Sequence, residues 1–320
     1  MMGSKATAYP KGIHVPCLTW FEDLADQCID WDLQARHIEF LVNSGIHGVV
    51  LAGTNGEGAT LRPAEKEGLI KMTRRIAQSH GRPGLTIAVG TSGQCTRDIA
   101  EDCRLAKDAG ADYVLVLTPS YFHFAMTSKA IVSFFEQIGD LSPLPVLIYN
   151  FPGVTAGLDV DSQMLDRLAG HPNIVGVKLT CGGIGKVARI AASHDVQSFV
   201  ALAGQSDWLV PALSVGAVGT ITGVGNLYPK VCIQIFELFS SGNVEEAKEL
   251  QLHLAKMEWG FAKGGVNGTK WVVAKLKNYP ERSWRCRDPY PEFVDPSEQA
   301  WMLDTVVVKE LVTIEDGDAK

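Results

Sequence analysis

The chain has 320 residues, of which 46% are hydrophobic and 20% charged, and its formal net charge is -7. This composition is typical of a globular protein with a substantial core. The acidic balance and the lack of a long Lys or Arg run argue against nucleic acid or an anionic membrane as a partner, so a small molecule is expected.

Short apolar runs alternate with segments of helical period along most of the chain. Eight such runs each predict one buried strand, at residues 13–18, 47–52, 85–89, 113–117, 146–149, 174–178, 199–203 and 217–222. Strands that alternate with helices predict βαβ units and a parallel sheet. Eight units favour a closed (β/α)8 TIM barrel over an open doubly wound sheet.

Helices are predicted between these runs from their apolar stripes and end signals. They lie at residues 32–44, 96–109, 187–192 and 208–215. Thr96 is expected to cap the second of them, and Gly45, Gly110 and Gly216 follow three of the helix ends.

The pattern changes after Thr222 to helices without strands, predicted at residues 231–240, 244–260, 268–277 and 296–312. We therefore predict a (β/α)8 barrel at residues 1–225 and a C-terminal helical extension at 226–320 that packs on the barrel. The acidic residues 315–318 are expected to form a frayed tail.

Cysteine usage and the first residues indicate the compartment. The seven cysteines form no Cys-x-x-Cys pair and no cluster with His at metal spacing, so we expect reduced, buried thiols and no metal. Residues 1–12 lack the pattern of a signal or transit peptide, and no apolar run approaches the length of a membrane span. The expectation is a cytoplasmic protein with no membrane partner.

In (β/α)8 barrels the reactive groups lie at the C-terminal ends of the strands. The second run is followed by Gly53-Thr54-Asn55-Gly56-Glu57. Two glycines around a Thr-Asn pair are suited to binding a carboxylate through backbone N–H groups and a hydroxyl. The alternative is an ordinary glycine turn that caps the next helix.

Two further strand ends have side chains suited to catalysis. The fifth run ends at Tyr149, whose phenol can shuttle a proton if another hydroxyl relays it, although a lone Tyr is also common at the edge of a core. The sixth run ends at Lys178, where desolvation can lower the pKa of an amine and make it a nucleophile toward carbonyls. A solvated or paired charge is the alternative. Strands two, five and six open into one funnel, so the three signals together predict one site.

These segments resemble the signature elements of the dihydrodipicolinate synthase/N-acetylneuraminate lyase superfamily, in the same order. The similar segments are Gly53-Thr54-Asn55-Gly56-Glu57, Tyr149-Asn150-Phe151-Pro152, Val175-Gly176-Val177-Lys178, Leu202-Ala203-Gly204 and Gly219-Thr220-Ile221-Thr222-Gly223. The similarity extends from about Pro10 to about Tyr279 and is greatest to the fungal L-threo-3-deoxy-hexulosonate (2-keto-3-deoxy-L-galactonate) aldolase branch.

The resemblance implies a class I aldolase that needs no metal or other cofactor. Lys178 would form a Schiff base with the C2 carbonyl of a 2-oxo acid, and Tyr149 would carry protons. Gly53, Thr54 and Asn55 would hold the substrate carboxylate, and Thr54 would also relay a proton to Tyr149. Tyr121 would reach the site of a neighbouring subunit, which implies a homodimer or homotetramer.

Departures from the superfamily pattern bear on the substrate. Val154 stands where the synthase branch carries an arginine for a second carboxylate, which disfavours aspartate semialdehyde. The resemblance places Thr180, Gly204 and Ile221 among the substrate-binding residues, and the Thr180 hydroxyl suits a hydroxylated tail. We therefore predict reversible cleavage of a 2-oxo-3-deoxy sugar acid, L-threo-3-deoxy-hexulosonate, to pyruvate and glyceraldehyde, a step of D-galacturonate degradation.

Two alternatives stay open. The first is 4-hydroxy-2-oxoglutarate aldolase activity, which yields pyruvate and glyoxylate. The second is a non-catalytic sensor that binds oxo acids on the same barrel. The presence of both Lys178 and Tyr149 argues against the sensor, because binding alone requires neither an amine nucleophile nor a proton shuttle.

Overall fold

The computed structural model describes residues 5–317 and shows a closed barrel of parallel strands, ordered β1 to β8 around the ring. The strands are β1 Gly12–Pro16, β2 Gly48–Leu51, β3 Thr86–Thr91, β4 Tyr113–Leu117, β5 Val146–Asn150, β6 Ile174–Leu179, β7 Val200–Ala203 and β8 Gly219–Ile221. Each predicted strand is present within a few residues of its expected ends. The predicted (β/α)8 barrel with a C-terminal helical extension is confirmed.

Eleven α-helices lie in the described residues, and the first eight alternate with the strands. They are α1 Trp31–Asn43, α2 Pro63–Ser79, α3 Thr96–Ala109, α4 Ser128–Leu141, α5 Ser162–Ala169, α6 Ile184–Ser193, α7 Leu209–Ser214, α8 Pro229–Ser240, α9 Val244–Leu276, α10 Pro296–Val306 and α11 Lys309–Asp316. Helix α8 packs on β1 and also contacts α9. The division of the chain at residue 225 remains a prediction.

The strands are mostly apolar because both of their faces are buried. One set of side chains, including Val50, Leu115 and Leu202, fills the inside of the barrel, and a second set packs under the surrounding helices. Tyr9 closes the N-terminal end, where its hydroxyl lies 3.2 Å from His14 Nδ1. The opposite end of the barrel, where the strands finish, is left free for a site.

Two local predictions about side chains are wrong. Cys95 occupies the N-cap position of α3 in extended conformation, and Thr96 is the first helical residue, with its hydroxyl donating to Gln137. All seven cysteines are free, as expected, but Cys28 and Cys95 are exposed and Cys181 is half-buried. All three lie outside the helices and strands, which accounts for the exposure of Cys28 and Cys95, while Cys181 still packs against the core.

The C-terminal helices differ from their predicted limits. Helix α9 joins two predicted helices, and its only non-helical residue is Gly265, with φ 59° and ψ -158°. The predicted helix at 296–312 is instead two helices, because the backbone leaves the helical region at Val307 and Val308.

The acidic end of the chain is not a frayed tail at Glu315. That side chain is buried and accepts a hydrogen bond from the Lys230 backbone N at 2.9 Å. Lys230 Nζ also donates to the Glu315 carbonyl at 2.7 Å, so α11 is held against α8. Asp318 and the first residues, Met1–Ser4, lie outside the described residues. No helix between residues 5 and 317 combines the length and apolar character needed to cross a membrane.

Candidate active site

The centre of the candidate site is a lysine and a tyrosine on neighbouring strands. Tyr149 of β5 and Lys178 of β6 are direct register partners in the parallel ladder, so the pleat sends both side chains to the same face. Each residue is only 3% exposed, and Lys178 Nζ lies 4.2 Å from the centroid of the Tyr149 ring. The sheet itself therefore fixes the amine beside the phenol.

Thr54 extends this pair toward the second strand. Its Oγ1 lies 3.4 Å from the Tyr149 hydroxyl, a distance at which either oxygen can donate to the other after slight tightening. The turn that carries Thr54 is closed by hydrogen bonds from Glu57 N to Thr54 O at 3.1 Å and from Gly58 N to Gly53 O at 3.0 Å. The phenol and the Thr54 hydroxyl can thus exchange a proton, and the amine of Lys178 lies against the ring of the same tyrosine.

A cavity of about 500 Å³ opens beside these residues at the C-terminal end of the barrel. Gly53, Thr54, Tyr149 and Val154 lie on its wall, but Lys178 does not and sits behind the tyrosine ring. The opposite wall comes from the C-terminal extension, through Val266, Asn267, Cys286 and Tyr290. The extension therefore helps to shape the site, which the sequence did not indicate.

The remaining predicted binding residues lie on the other side of the barrel mouth. Thr180 N donates to Asn150 O, and Gly204 N donates to Leu179 O, each at 2.9 Å. A Cβ at Gly204 would overlap the Thr180 hydroxyl, whose oxygen is buried and has no hydrogen-bond partner in the described structure. Ile221 is buried among the residues that fill the barrel. None of these three residues lines the 500 Å³ cavity.

Asn55 and Tyr121 also lie away from the cavity wall. Asn55 Nδ2 packs against Gly223 after β8, where an added Cβ would be 2.9 Å away. Tyr121 is 74% exposed, its ring packs on Phe122, and it does not line the cavity. Gln94 Oε1 holds the loop by accepting from Tyr121 N at 2.9 Å.

Two buried acids near the site were not predicted. Glu57 pairs with Lys270 of α9 at 2.7 Å, and both side chains are buried. Glu258, also on α9, accepts from the N and Oγ of Ser206, while burial and then the nearby Asp207 charge raise its pKa to about 8. The sequence could have indicated Glu258, because it lies on the same face of its helix as Leu254 and Phe261. A carboxyl group on a buried face needs hydrogen-bond partners.

A buried amine and a phenol at adjacent strand ends, with a hydroxyl in reach, define a class of barrel enzymes that attack a carbonyl and move a proton next to it. Residues 9–303 match the model of the Dihydrodipicolinate synthetase family, and the chain belongs to this family.

Individual relatives agree with this assignment. A protein of Emericella nidulans named "Probable 4-hydroxy-2-oxoglutarate aldolase, mitochondrial" is 38% identical over 282 residues, covering 88% of this chain and 90% of the relative. The L-threo-3-deoxy-hexylosonate aldolase of Hypocrea jecorina is 34% identical, covering 84% and 88%. A crystal structure of a dihydrodipicolinate synthase family protein from Coccidioides immitis superposes with a TM-score of 0.87 at 35% identity, covering 98% of this chain and all of that one. The protein is a carbon–carbon lyase of the class I pyruvate aldolase type.

Proposed function

We propose that this protein cleaves a 2-oxo-3-deoxy sugar acid, L-threo-3-deoxy-hexulosonate, reversibly to pyruvate and glyceraldehyde through a Schiff base on Lys178. The observation that carries the choice of substrate is the charge of the cavity wall. Among the described residues that line it, none is Lys, Arg or His, and the one charged side chain, Glu57, is already paired with Lys270.

In the proposed mechanism, the Lys178 amine attacks the C2 carbonyl, and loss of water from the carbinolamine leaves an iminium. Tyr149 accepts the proton of the C4 hydroxyl while the C3–C4 bond breaks. The electron pair of the C3–C4 bond moves into the iminium to give an enamine, and the aldehyde leaves. Protonation of the enamine at C3 and addition of water then release pyruvate and regenerate the amine. No metal or other cofactor takes part in this scheme.

We assign the substrate carboxylate to the turn of Gly53, Thr54 and Asn55, through backbone N–H groups and the threonine hydroxyl. Closure of this turn next to Tyr149 supports the assignment. Thr180, whose buried hydroxyl lacks a partner in the described structure, is the residue that we assign to the hydroxylated tail, together with Gly204, which packs against it, and Ile221 of β8.

A second candidate substrate is 4-hydroxy-2-oxoglutarate. It is favoured by one observation, the 38% identity to a relative that carries this activity in its name, against 34% for the hexulosonate aldolase. The substrate has a second carboxylate, however, and burying an anion without a cationic partner is costly. Val154 on the cavity wall supplies no such partner.

Assembly and compartment are proposals as well. We propose a homodimer or homotetramer in which Tyr121 approaches a neighbouring site, since its side chain is exposed and does not line the cavity of its own chain. The cytoplasm remains our proposed compartment, although the Emericella nidulans relative is named as mitochondrial. Microscopy of the tagged protein with a mitochondrial marker distinguishes the two locations.

The mechanism is tested by trapping the Schiff base. The protein is incubated with pyruvate and borohydride, and the modified residue is located by peptide mass spectrometry. We expect a reduced adduct on Lys178 that is absent from Lys178→Ala and retained in Lys71→Ala, which removes an exposed lysine of α2. An adduct that persists in Lys178→Ala would contradict the mechanism.

The substrate is tested by comparing kcat/KM for L-threo-3-deoxy-hexulosonate and 4-hydroxy-2-oxoglutarate. We expect the first to be preferred, and Val154→Arg to shift the ratio toward the second by about tenfold or more, since a new cation would pair with the added carboxylate. Val154→Leu serves as the control for side-chain size. Preference of the wild-type protein for 4-hydroxy-2-oxoglutarate would exclude the sugar acid as its main substrate.

A further inference from the structure

The turn that follows β2 has an unusual backbone. Both Ala52 and Glu57 have φ near 51°, in the left-handed region that non-glycine residues rarely adopt. These two residues bracket Gly53, Thr54 and Asn55. Since such conformations persist only where surrounding contacts enforce them, something outside the turn must hold it in shape.

The contacts that hold Glu57 come from the C-terminal extension. Glu57 Oε1 accepts from Lys270 Nζ at 2.7 Å, and Oε2 accepts from Arg287 N at 3.0 Å. The side chains of Lys270 and Glu57 are 0% and 5% exposed. Lys270 Nζ also donates to Arg285 O at 2.8 Å and lies 4.5 Å from the centroid of the Phe21 ring. Both members of the ion pair are therefore buried and have further partners.

Arg287 fixes the next part of the same loop. Its guanidinium donates to Thr60 O at 2.8 Å and to Gln27 O. Its two terminal nitrogens, Nη1 and Nη2, both pair with the carboxylate of Glu65. Glu65 in turn accepts from Arg62 N at the start of α2. The loop between β2 and α2 is thus held at Glu57, at Thr60 and at its junction with the helix.

From this arrangement we propose that Glu57, Lys270 and Arg287 are positioning residues that hold the Gly53-Thr54-Asn55 turn in the conformation that binds the substrate carboxylate. The identity of the ligand rests on the function proposed above. These residues do not reach the amine of Lys178, so their contribution is to the affinity for the 2-oxo acid and not to the chemical step.

The test compares pyruvate affinity with the rate of chemistry. Removing one partner leaves a buried charge unpaired and can unfold the protein, so Lys270→Met is studied with the double variant Glu57→Gln/Lys270→Met, which leaves no buried charge. In the folded double variant, we expect half-maximal borohydride trapping to need about tenfold more pyruvate, with the trapping rate at saturation within about twofold of wild type.

A matched variant separates positioning from general stability. Lys66→Met removes a largely buried ion pair, Lys66 with Asp102 at 2.9 Å, which joins α2 to α3 outside the barrel. We expect pyruvate affinity to be unchanged in this variant. An equal loss of affinity in Lys66→Met, or unchanged affinity in the double variant, would overturn the proposal.

Hydrogen exchange tests the positioning role without any ligand. The amides of residues 52–60 should exchange faster in the double variant than in wild type, while those of β5 and β6 stay protected. Unchanged exchange at residues 52–60 would overturn the positioning role. If wild-type protein forms no pyruvate adduct, the proposed function fails, and this exchange measurement still decides the inference.

Discussion

Tyr149 contacts both Thr54 and Lys178 in the candidate site. Its hydroxyl lies close to the Thr54 hydroxyl, and its ring lies against Lys178 Nζ. The Tyr149 ring and hydroxyl thus serve different purposes, since the ring contributes to the environment of the amine and only the hydroxyl can carry a proton. A substitution that removes the oxygen alone separates these contributions.

Tyr149→Phe keeps the ring and removes the proton carrier. We expect kcat for cleavage to fall by roughly 10²- to 10⁴-fold, the usual contribution of a general acid or base, while prolonged incubation with pyruvate still yields an adduct on Lys178. Tyr113→Phe is the control, because the Tyr113 hydroxyl donates to Ala8 O at the opposite end of the barrel. A kcat for Tyr149→Phe within a few fold of wild type would show that the phenol is not the proton carrier.

Glu258 gives the stability of the protein a pH dependence. Burial raises its pKa from the ordinary 4.5 to about 8, so the folded protein retains a proton that the unfolded chain has already released between these values. The contribution of this group to the free energy of unfolding therefore falls as the pH rises through that window.

Glu258→Gln keeps an acceptor for Ser206 but cannot ionise. We expect its Tm, relative to wild type, to increase as the pH is raised from about 5 to about 9. Glu249→Gln, on the exposed side of the same helix, is the control and should keep the wild-type dependence. Parallel curves for wild type and Glu258→Gln would contradict the assignment of the shifted group.

At the scale of elements, the strands were predictable and the supporting contacts were not. A strand buried on both faces is mostly apolar, so eight apolar runs sufficed to predict the barrel, and Lys178 and Tyr149 were recognisable at the ends of two of them. The partners Glu57 and Lys270 are 213 residues apart in the sequence. No local pattern connects such residues, and the contribution of Asn267, Cys286 and Tyr290 to the cavity has the same long-range origin.

The close contact between Gly204, which follows β7, and Thr180, which follows β6, provides a test at the scale of elements. In Gly204→Ala the new methyl group would overlap both the hydroxyl and the backbone of Thr180. We expect a loss of about 1–3 kcal/mol of stability, together with a higher KM for the sugar acid as Thr180 is displaced. Gly84→Ala is the matched control, because no atom lies near its added methyl group and its φ is not positive. The combination of unchanged Tm and unchanged KM in Gly204→Ala would contradict the close approach.

At the scale of the whole molecule, the loop between β4 and α4 exposes a cluster of aromatic side chains. Tyr121, Phe122 and Phe124 are 74%, 60% and 79% exposed, and their rings pack on one another. Contiguous exposed aromatic side chains on a folded protein mark an interaction surface. This supports the proposed contact between subunits, to which Tyr121 belongs.

Phe122→Ser/Phe124→Ser tests the assembly. We expect wild-type protein to sediment as a dimer or tetramer and the double variant to dissociate by at least one step, because the apolar area that drives association is lost. Lys129→Ser, also on this side of the barrel but without an aromatic ring, should leave the assembly unchanged. A wild-type protein that sediments as a monomer at all concentrations would contradict the predicted oligomer.

The pairing of Tyr149 with Lys178 in the ladder between β5 and β6 has a consequence for how such proteins diversify. The pair that we propose as the reacting groups lies on two hydrogen-bonded strands of the barrel, whereas Val154 lies in the segment after β5 and the C-terminal wall of the cavity comes from α9 and the chain that follows it. Mutations can therefore alter which tail is accepted while the carbonyl chemistry stays intact. This separation gives a physical reason why relatives that share the fold can carry the names of different substrates, and it directs efforts to redesign specificity to Val154 and the C-terminal wall of the cavity.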